Sequence, residues 1–446
     1  MVEKNKKLYH VTVLSNFARA FDKYSLCYAK AGIPESTYPD RFYLLDRSEL
    51  EIGYRKASQL MEKLAIPGNR LIALETEVEP SLLHENTNTG LGRFIHSDRI
   101  RLTALYDLEL GEEGMALRRT VVEEATAASL RLSNQQLQRF VDLRPRTLSI
   151  LPIAQGCQAK CAFCFSKASI SSEQAQYRPD WDTFGAWLDA AVAHGAERAV
   201  ITGGGEPTLL PFAQLEKLVA CCGERFSKVV LISNGHVLAT QTEADRIAHL
   251  RALHDAGLQV LAISRHHFDA THNERIMKLH TPVEELARTW REHLHLWPDL
   301  RLRLICVLQH GGVEDEQVLG QYLTWAADQG IEEICFKELY VSASTESMYF
   351  DRAANDWSRQ HQVPLALVTG FAGRSGFSVE HRLPWGAPVF VGEWAGRLMR
   401  IAAYTEPSLY WERTHGTARS WNVMADGRCY ASLEDRASEL AVEDLK

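Results

Sequence analysis

From Thr147 to Tyr340 short β-branched runs alternate with helical segments, the rhythm of a parallel sheet assembled from βαβ units. Six runs read as strands: Leu148 to Ile153, Ala199 to Thr202, Lys228 to Ser233, Gln259 to Ser264, Leu302 to Leu308 and Glu333 to Leu339. Helical patterns separate them near Trp181 to His194, Phe212 to Cys222, Glu243 to Ala256, Val283 to Leu296 and Asp315 to Gln329. Six parallel strands with outer helices predict an α/β fold, a partial (β/α)6 barrel. Right-handed crossovers then collect the loops after the strands at one rim, where ligands of such folds bind.

The rhythm fails on both sides. Residues 1–144 mix signals: Ser48 with Glu51 suggests a capping box ahead of a helical run, Arg70 to Val78 and Ile100 to Leu110 read as strands, and Glu112 to Leu132 and Asn134 to Val141 read as helices. This predicts an N-terminal α+β domain, structural or partner-binding, with no assignable motif. After Tyr340 the chain is rich in Gly, Pro and Trp, and a hairpin of Trp421 to Met424, an Ala-Asp-Gly turn and Arg428 to Ser432 predicts a small C-terminal cap. The expected domains are 1–144, 145–340 and 341–446.

Composition narrows the class. Of the 446 residues, 46% are hydrophobic and 24% charged, which are globular values, and no apolar run approaches the roughly 20 residues that span a bilayer. A formal net charge of −8 argues against a broad basic surface, so neither nucleic acid nor membrane is an expected partner. The apolar stretch after the basic opening is too short and polar for a secretory signal, and nine unevenly spread cysteines do not make a disulfide framework; the expected compartment is the cytoplasm.

Three of those cysteines stand on the loop after the first strand, Gly156-Cys157-Gln158-Ala159-Lys160-Cys161-Ala162-Phe163-Cys164. Structural zinc recruits four protein ligands as separated pairs, so a lone triplet suits it poorly. A [4Fe–4S] cluster takes four thiolates, and a triplet leaves one iron open to another ligand. After the second strand comes Thr202-Gly203-Gly204-Gly205-Glu206-Pro207-Thr208, a glycine run that brings backbone close to something at the rim, with an anion beside it to meet an ammonium.

Together these motifs make residues 147–340 resemble the radical S-adenosylmethionine superfamily, whose signature is a C-x3-C-x-aromatic-C loop after the first strand. The resemblance implies that Cys157, Cys161 and Cys164 hold three irons of one [4Fe–4S] cluster, with S-adenosylmethionine chelating the fourth. It implies that Phe163 lies by the adenine, and that Gly204, Gly205, Glu206 and Pro207 hold the methionine amino group. Ser233 and Asn234 after the third strand suit a ribose, Ser264 and Arg265 after the fourth suit the carboxylate, and Val307 on the fifth is the candidate on the adenine side. The implied reaction is reductive cleavage to a 5′-deoxyadenosyl radical that abstracts hydrogen, with flavodoxin or ferredoxin as electron donor.

Substrate is less constrained. Beyond Tyr340 the chain has only Cys429, too few thiolates for an auxiliary cluster, although the Met424 to Tyr430 segment resembles the hairpin that opens such extensions in peptide-modifying relatives. The expectation is a ribosomal peptide, with a small metabolite as the alternative, an RNA-modifying enzyme of the same superfamily as a third, and a noncatalytic iron–sulfur or zinc protein as the rival class. Cys306 and Cys335 read as core thiols, one of which, if inward, could return hydrogen to a substrate radical; Cys221 and Cys222 read as packing. His266, His267 and His272 read as a solvated rim. Lys337, Glu338 and Tyr340 are placed for substrate contact, and Trp385, Trp394, Trp411 and Trp421 read as aromatic packing.

Overall fold

The computed structural model describes residues 5–29, 41–64, 70–86, 91–97, 99–111, 114–131, 137–152, 156–165, 180–342, 345 and 347–445. The chain divides into two compact units, residues 1–135 and 136–446. Ile153 and residues 112–113 and 132–136, which carry parts of three expected elements, lie outside the described residues.

In the first unit an antiparallel sheet runs in the order Lys6–Val13, Leu71–Val78, Ala104–Gly111, Gly114–Arg119. Phe17, Tyr28, Phe42, Leu44, Ile72 and Leu74 are sealed in its main core. The helix expected over Glu112 to Leu132 is instead a strand, Gly114–Arg119, then a helix, Val122–Arg131. The hairpin wins because Gly114 takes a φ of +102°, left-handed backbone that reverses the chain onto Ala104–Gly111. The cap before Leu50–Leu64 also differs. The Asp46 amide donates to the Glu49 carboxylate at 2.8 Å, so the box sits two residues earlier than Ser48 and Glu51.

The second unit holds the six parallel strands: Thr147–Leu151, Arg198–Ile201, Val229–Ser233, Val260–Ser264, Arg301–Val307 and Glu333–Lys337, each paired with the next in register. Two more parallel strands extend this run. Arg397–Tyr404 pairs with the sixth strand and Trp421–Met424 with the first, so part of the segment expected as a cap continues the sheet at both edges. The hairpin does form, with Gly427 at φ +85° and Val423 opposite Cys429.

Register separates the two faces of this sheet. One face carries rows such as Ile201, Leu231, Leu261 and Leu302, or Ile263, Leu304, Ile334 and Ile401, all at most 2% exposed. The apolar sides of the intervening helices, including Leu215, Leu218, Leu250, Leu286 and Leu323, are buried to the same degree, as expected of helices laid on a parallel sheet. Among the described residues, none of these intervening helices is laid on the other, bare face. Along it Ile232, Ala262, Arg303, Glu333 and Arg400 are neighbours on five successive strands.

Candidate functional site

The cysteine loop leaves the first strand through Gly156, whose φ of +111° only glycine adopts at low cost. Its carbonyl accepts the Glu206 amide at 2.9 Å, tying the cysteine loop to the glycine-rich loop. The Lys160 amide donates to the Met277 carbonyl at 2.8 Å, which docks the loop on the end of the helix Ala270–Met277. A turn closed by the Cys164 amide on the Cys161 carbonyl, at 3.2 Å, folds the last two cysteines back on each other. Beside them the Asn234 side-chain amide donates to Gln158 at 3.0 Å and faces the Cys157 sulfur at 3.6 Å. Burial, with the Cys164 and Cys157 sulfurs nearby, pushes the Cys161 thiol up to about 12, and burial raises Cys157 as well. Thiols of this kind release protons only when a metal takes their place.

The donor set fits a cluster better than one ion. Tetrahedral zinc with Zn–S near 2.3 Å draws its sulfurs to about 3.8 Å from one another. Among the described residues, the one triplet of potential ligand atoms gathered within 4.8 Å is His267, Asp269 and His272, so the three cysteine sulfurs stand wider apart than that. The histidine triplet is itself a helix cap: Asp269 accepts the His272 amide and pairs with its ring, while the Asp269 amide donates to His267 Nδ1 at 3.0 Å and occupies that lone pair.

Glu206 is 2% exposed. Its carboxylate accepts from the Thr208 amide (3.0 Å), the Thr208 hydroxyl (2.7 Å), the Ser233 hydroxyl (2.7 Å) and the Asn234 amide (2.7 Å). These donors staple the second and third strand loops together, with Ser233 and Asn234 drawn into the same staple. Gly204, at φ +100°, and Gly205 leave backbone at the rim, and Pro207 starts a buried turn.

Arg265, expected to meet the cosubstrate carboxylate, is turned into the protein. It is 1% exposed and its guanidinium donates to the carbonyls of His267 and Phe268 and to Glu284, over the face of Trp325. It buttresses the loop after the fourth strand, with its donors turned to protein acceptors. His266 and His267 are buried, not a solvated rim. Burial, then Arg265, pushes His266 down to about 3, and its neutral ring accepts the Val307 amide at 3.1 Å. Ser264 and Val307 end their strands on the bare face, half-buried.

The aromatic rings flanking Cys164 face different partners. Phe163 packs edge-on against His266, with Trp357 beyond, while Phe165 packs against Tyr340 and Tyr349. Behind those tyrosines lies a network that sequence reasoning missed apart from Lys337 and Tyr340. Glu406 accepts from Lys337 at 3.0 Å and Tyr404 at 2.9 Å and pairs with Arg419 at 2.8 Å. Burial opposes the Glu406 charge, but Arg419 and Lys337 outweigh it and hold the carboxyl at about 2. Tyr349, Glu406, Glu412, Arg419 and Glu434 line a small polar cavity with room for about one water. Tyr340 donates to Glu434. No short motif announces this network, because its members come from segments up to about a hundred residues apart. Of the two strand thiols, Cys306 lies on the helix-covered face and Cys335 on the bare face. Trp421 is buried, and Trp385 and Trp411 pack on each other, as expected of aromatic packing.

Residues 151–296 match the family model of the radical SAM superfamily. No curated protein matches the chain in sequence. Among solved structures it is similar to SuiB from Streptococcus suis bound to S-adenosylmethionine, at 16% identity and a TM-score of 0.42, covering 70% of this chain and 64% of that one. It is also similar to anSMEcpe with bound AdoMet, at 13% identity and a TM-score of 0.41, covering 67% and 79%, and to coproporphyrinogen III oxidase (HemN) from Escherichia coli, at 17% and 0.34, covering 56% of each. The chain thus spans less than two thirds of SuiB, and none of these likenesses bears on substrate. Among the described residues no helix is long and apolar enough to cross a membrane.

Proposed function

As residues 151–296 are a radical SAM domain, of a superfamily of enzymes that use a [4Fe–4S] cluster and S-adenosylmethionine, we propose that this chain removes hydrogen from a ribosomally made peptide in a modification pathway. The observation that carries the reading is the three-thiol loop stapled to the glycine-rich loop at the C-terminal ends of the first three parallel strands. Cys157, Cys161 and Cys164 would hold the cluster, which when bound supplies the electron that cleaves S-adenosylmethionine to a 5′-deoxyadenosyl radical.

The remaining roles belong to the chain. Carbonyls of Gly204 and Gly205 receive the methionine ammonium, while Glu206 and Pro207 fix their loop. Asn234 orients Gln158 and the Cys157 sulfur, and Ser233 holds Glu206. Ser264 borders the cosubstrate carboxylate and Val307 the adenine, and Phe163 walls the adenine and excludes water. We read the six central strands as a partial (β/α)6 barrel within residues 145–340, flanked by an N-terminal domain to residue 144 and a C-terminal extension from 341. Flavodoxin or ferredoxin is the electron donor we expect, in the cytoplasm. One cluster per chain follows from Cys429 being buried and the only cysteine after Tyr340.

The peptide reading draws support from the two large flanking regions and the C-terminal hairpin. A small metabolite is the second reading. Anaerobically reconstituted protein should contain iron and sulfide and, with dithionite and S-adenosylmethionine, release 5′-deoxyadenosine. A noncatalytic iron–sulfur or zinc protein would release none. Mass spectrometry of a peptide co-expressed from a neighbouring gene should show loss of hydrogen or a new bond, and an unmodified peptide beside a consumed metabolite would reverse the substrate preference.

A further inference from the structure

The bare face of the parallel sheet is strongly cationic at the N-terminal ends of its strands, in a chain whose net charge is −8. Arg198 opens the second strand, Lys228 precedes the third, Arg301 and Arg303 open the fifth, and Arg400 stands opposite Glu333 on the neighbouring strand. Glu333 is shared by Arg301 at 2.5 Å, Arg303 at 2.5 Å and, at 3.5 Å, Arg400, which itself donates to Glu380 at 2.7 and 2.8 Å. Burial works against its charge, but the three guanidiniums hold its carboxyl below the usual range.

Glu333 and Glu380 are taken up by Arg301, Arg303 and Arg400 and do not neutralise the rest. Among the described residues, Lys228 has no hydrogen-bond or ion-pair partner for its ammonium, and Arg146 has only the face of Trp385 for its guanidinium. Arg198 reaches exposed Glu197 at 3.9 Å, and its Nε is buried with no acceptor. A buried donor without an acceptor is costly, and like charges in a half-buried site repel more than in water. Consistent with this, burial, then Arg303, Arg301 and Arg198, push Lys228 down to about 8 although Glu333 pulls the other way.

We propose that this end of the bare face binds an oxyanion, carboxylate or phosphate, carried by the substrate, with Arg198, Lys228 and Arg303 supplying the cations. On the fifth strand Arg303 lies about 13 Å from the rim end at Val307, four residues at about 3.3 Å each. The anion is therefore not on the reacting group but at the far end of an extended substrate, such as an acidic residue several positions away in a peptide. As a statement about substrate this rests on the hydrogen-abstraction reading; as a statement about anion binding it does not.

The test is calorimetric titration of the full chain at pH 8 with glutarate, with inorganic phosphate and with sodium chloride at matched ionic strength, on wild type, Arg198→Gln, Lys228→Gln and the surface variant Arg288→Gln. Saturable binding is expected for glutarate, phosphate or both, and the preference assigns carboxylate or phosphate. Affinity should fall about tenfold in Arg198→Gln and in Lys228→Gln, and be unchanged in Arg288→Gln. Because an anion restores the Lys228 charge, binding takes up a proton at pH 8, read as a dependence of the heat on buffer ionisation and lost in Lys228→Gln. A response no greater than that to chloride, or equal affinity in all four proteins, overturns the proposal. Iron and sulfide content, measured on the same preparations, reports separately on the cysteine loop: anion binding without a cluster would sink the functional reading and leave this one standing.

Discussion

The two faces of the parallel sheet share the same strands and differ in what they are for. On the helix-covered face, aliphatic rows in register are almost wholly removed from water, which is where the hydrophobic effect stabilises the fold. The bare face has an apolar band, Val230, Val260 and Ala262 with Val200, Ile232 and Ile305, set between a cationic floor and a rim of loops. A sheet that spent both faces on packing would have nowhere to hold a ligand. One that spent neither would not fold.

The largest expected effect lies at the rim. Replacing Cys161 by Ala should cut 5′-deoxyadenosine release by about a thousandfold or more, since two thiolates do not retain the cluster, whereas Cys429→Ala should keep cluster absorbance. Equal loss in both would break the distinction between rim and packing thiols. Next comes the covered face: Leu231→Ala should cost about 2–5 kcal/mol in urea unfolding, whereas Val200→Ala on the bare face should cost about 1. Comparable losses would mean that Val200, partly buried against Val230, Val260 and Ala262, is packed as tightly as the covered rows.

A smaller effect is expected at Glu333, 7% exposed. Glu333→Gln should lower stability by about 2 kcal/mol, discounted for the partial exposure of its three arginines, and should tighten anion binding on that face. The smallest effect concerns pH. Burial pushes the Glu412 carboxyl from 4.5 up to about 7, and Glu434 follows in the same direction. The folded chain therefore keeps a proton that the unfolded chain has released between these values. The stability so gained is whole below about 4.5 and is lost as pH rises through about 7. Glu412→Gln should leave Tm unchanged at pH 4.5 and raise it by about 2–4 °C at pH 8, and a rise at both pH values would assign the effect to packing.

Much of the second unit was legible because its signals are local. The six strand runs and the thiol triplet are set by residues within a few positions of each other, and the structure has the strands within about two residues of the expected ends. The two extra parallel strands were not legible. Arg397–Tyr404 and Trp421–Met424 look like any short strands until their partners, more than sixty and more than two hundred and seventy residues away, are known. The same reason hid the true partners of Arg265 and Glu206. A motif names the residue at a strand end, but whether its side chain meets a ligand or a neighbouring loop is decided by what folds beside it.

Sequence alone determined that this chain builds a parallel sheet and carries three thiols on the loop after its first strand, because strand period and ligand spacing are properties of adjacent residues. Tertiary structure alone decided which charges gather. Arg198, Lys228, Arg303 and Glu333 become neighbours only through the register of strands separated by whole helices, and Lys337, Glu406 and Arg419 only because chain beyond the sixth strand returns to both edges of the sheet. Electrostatic interaction depends on distance in space and on the water excluded along the way, and neither is written in the order of the residues.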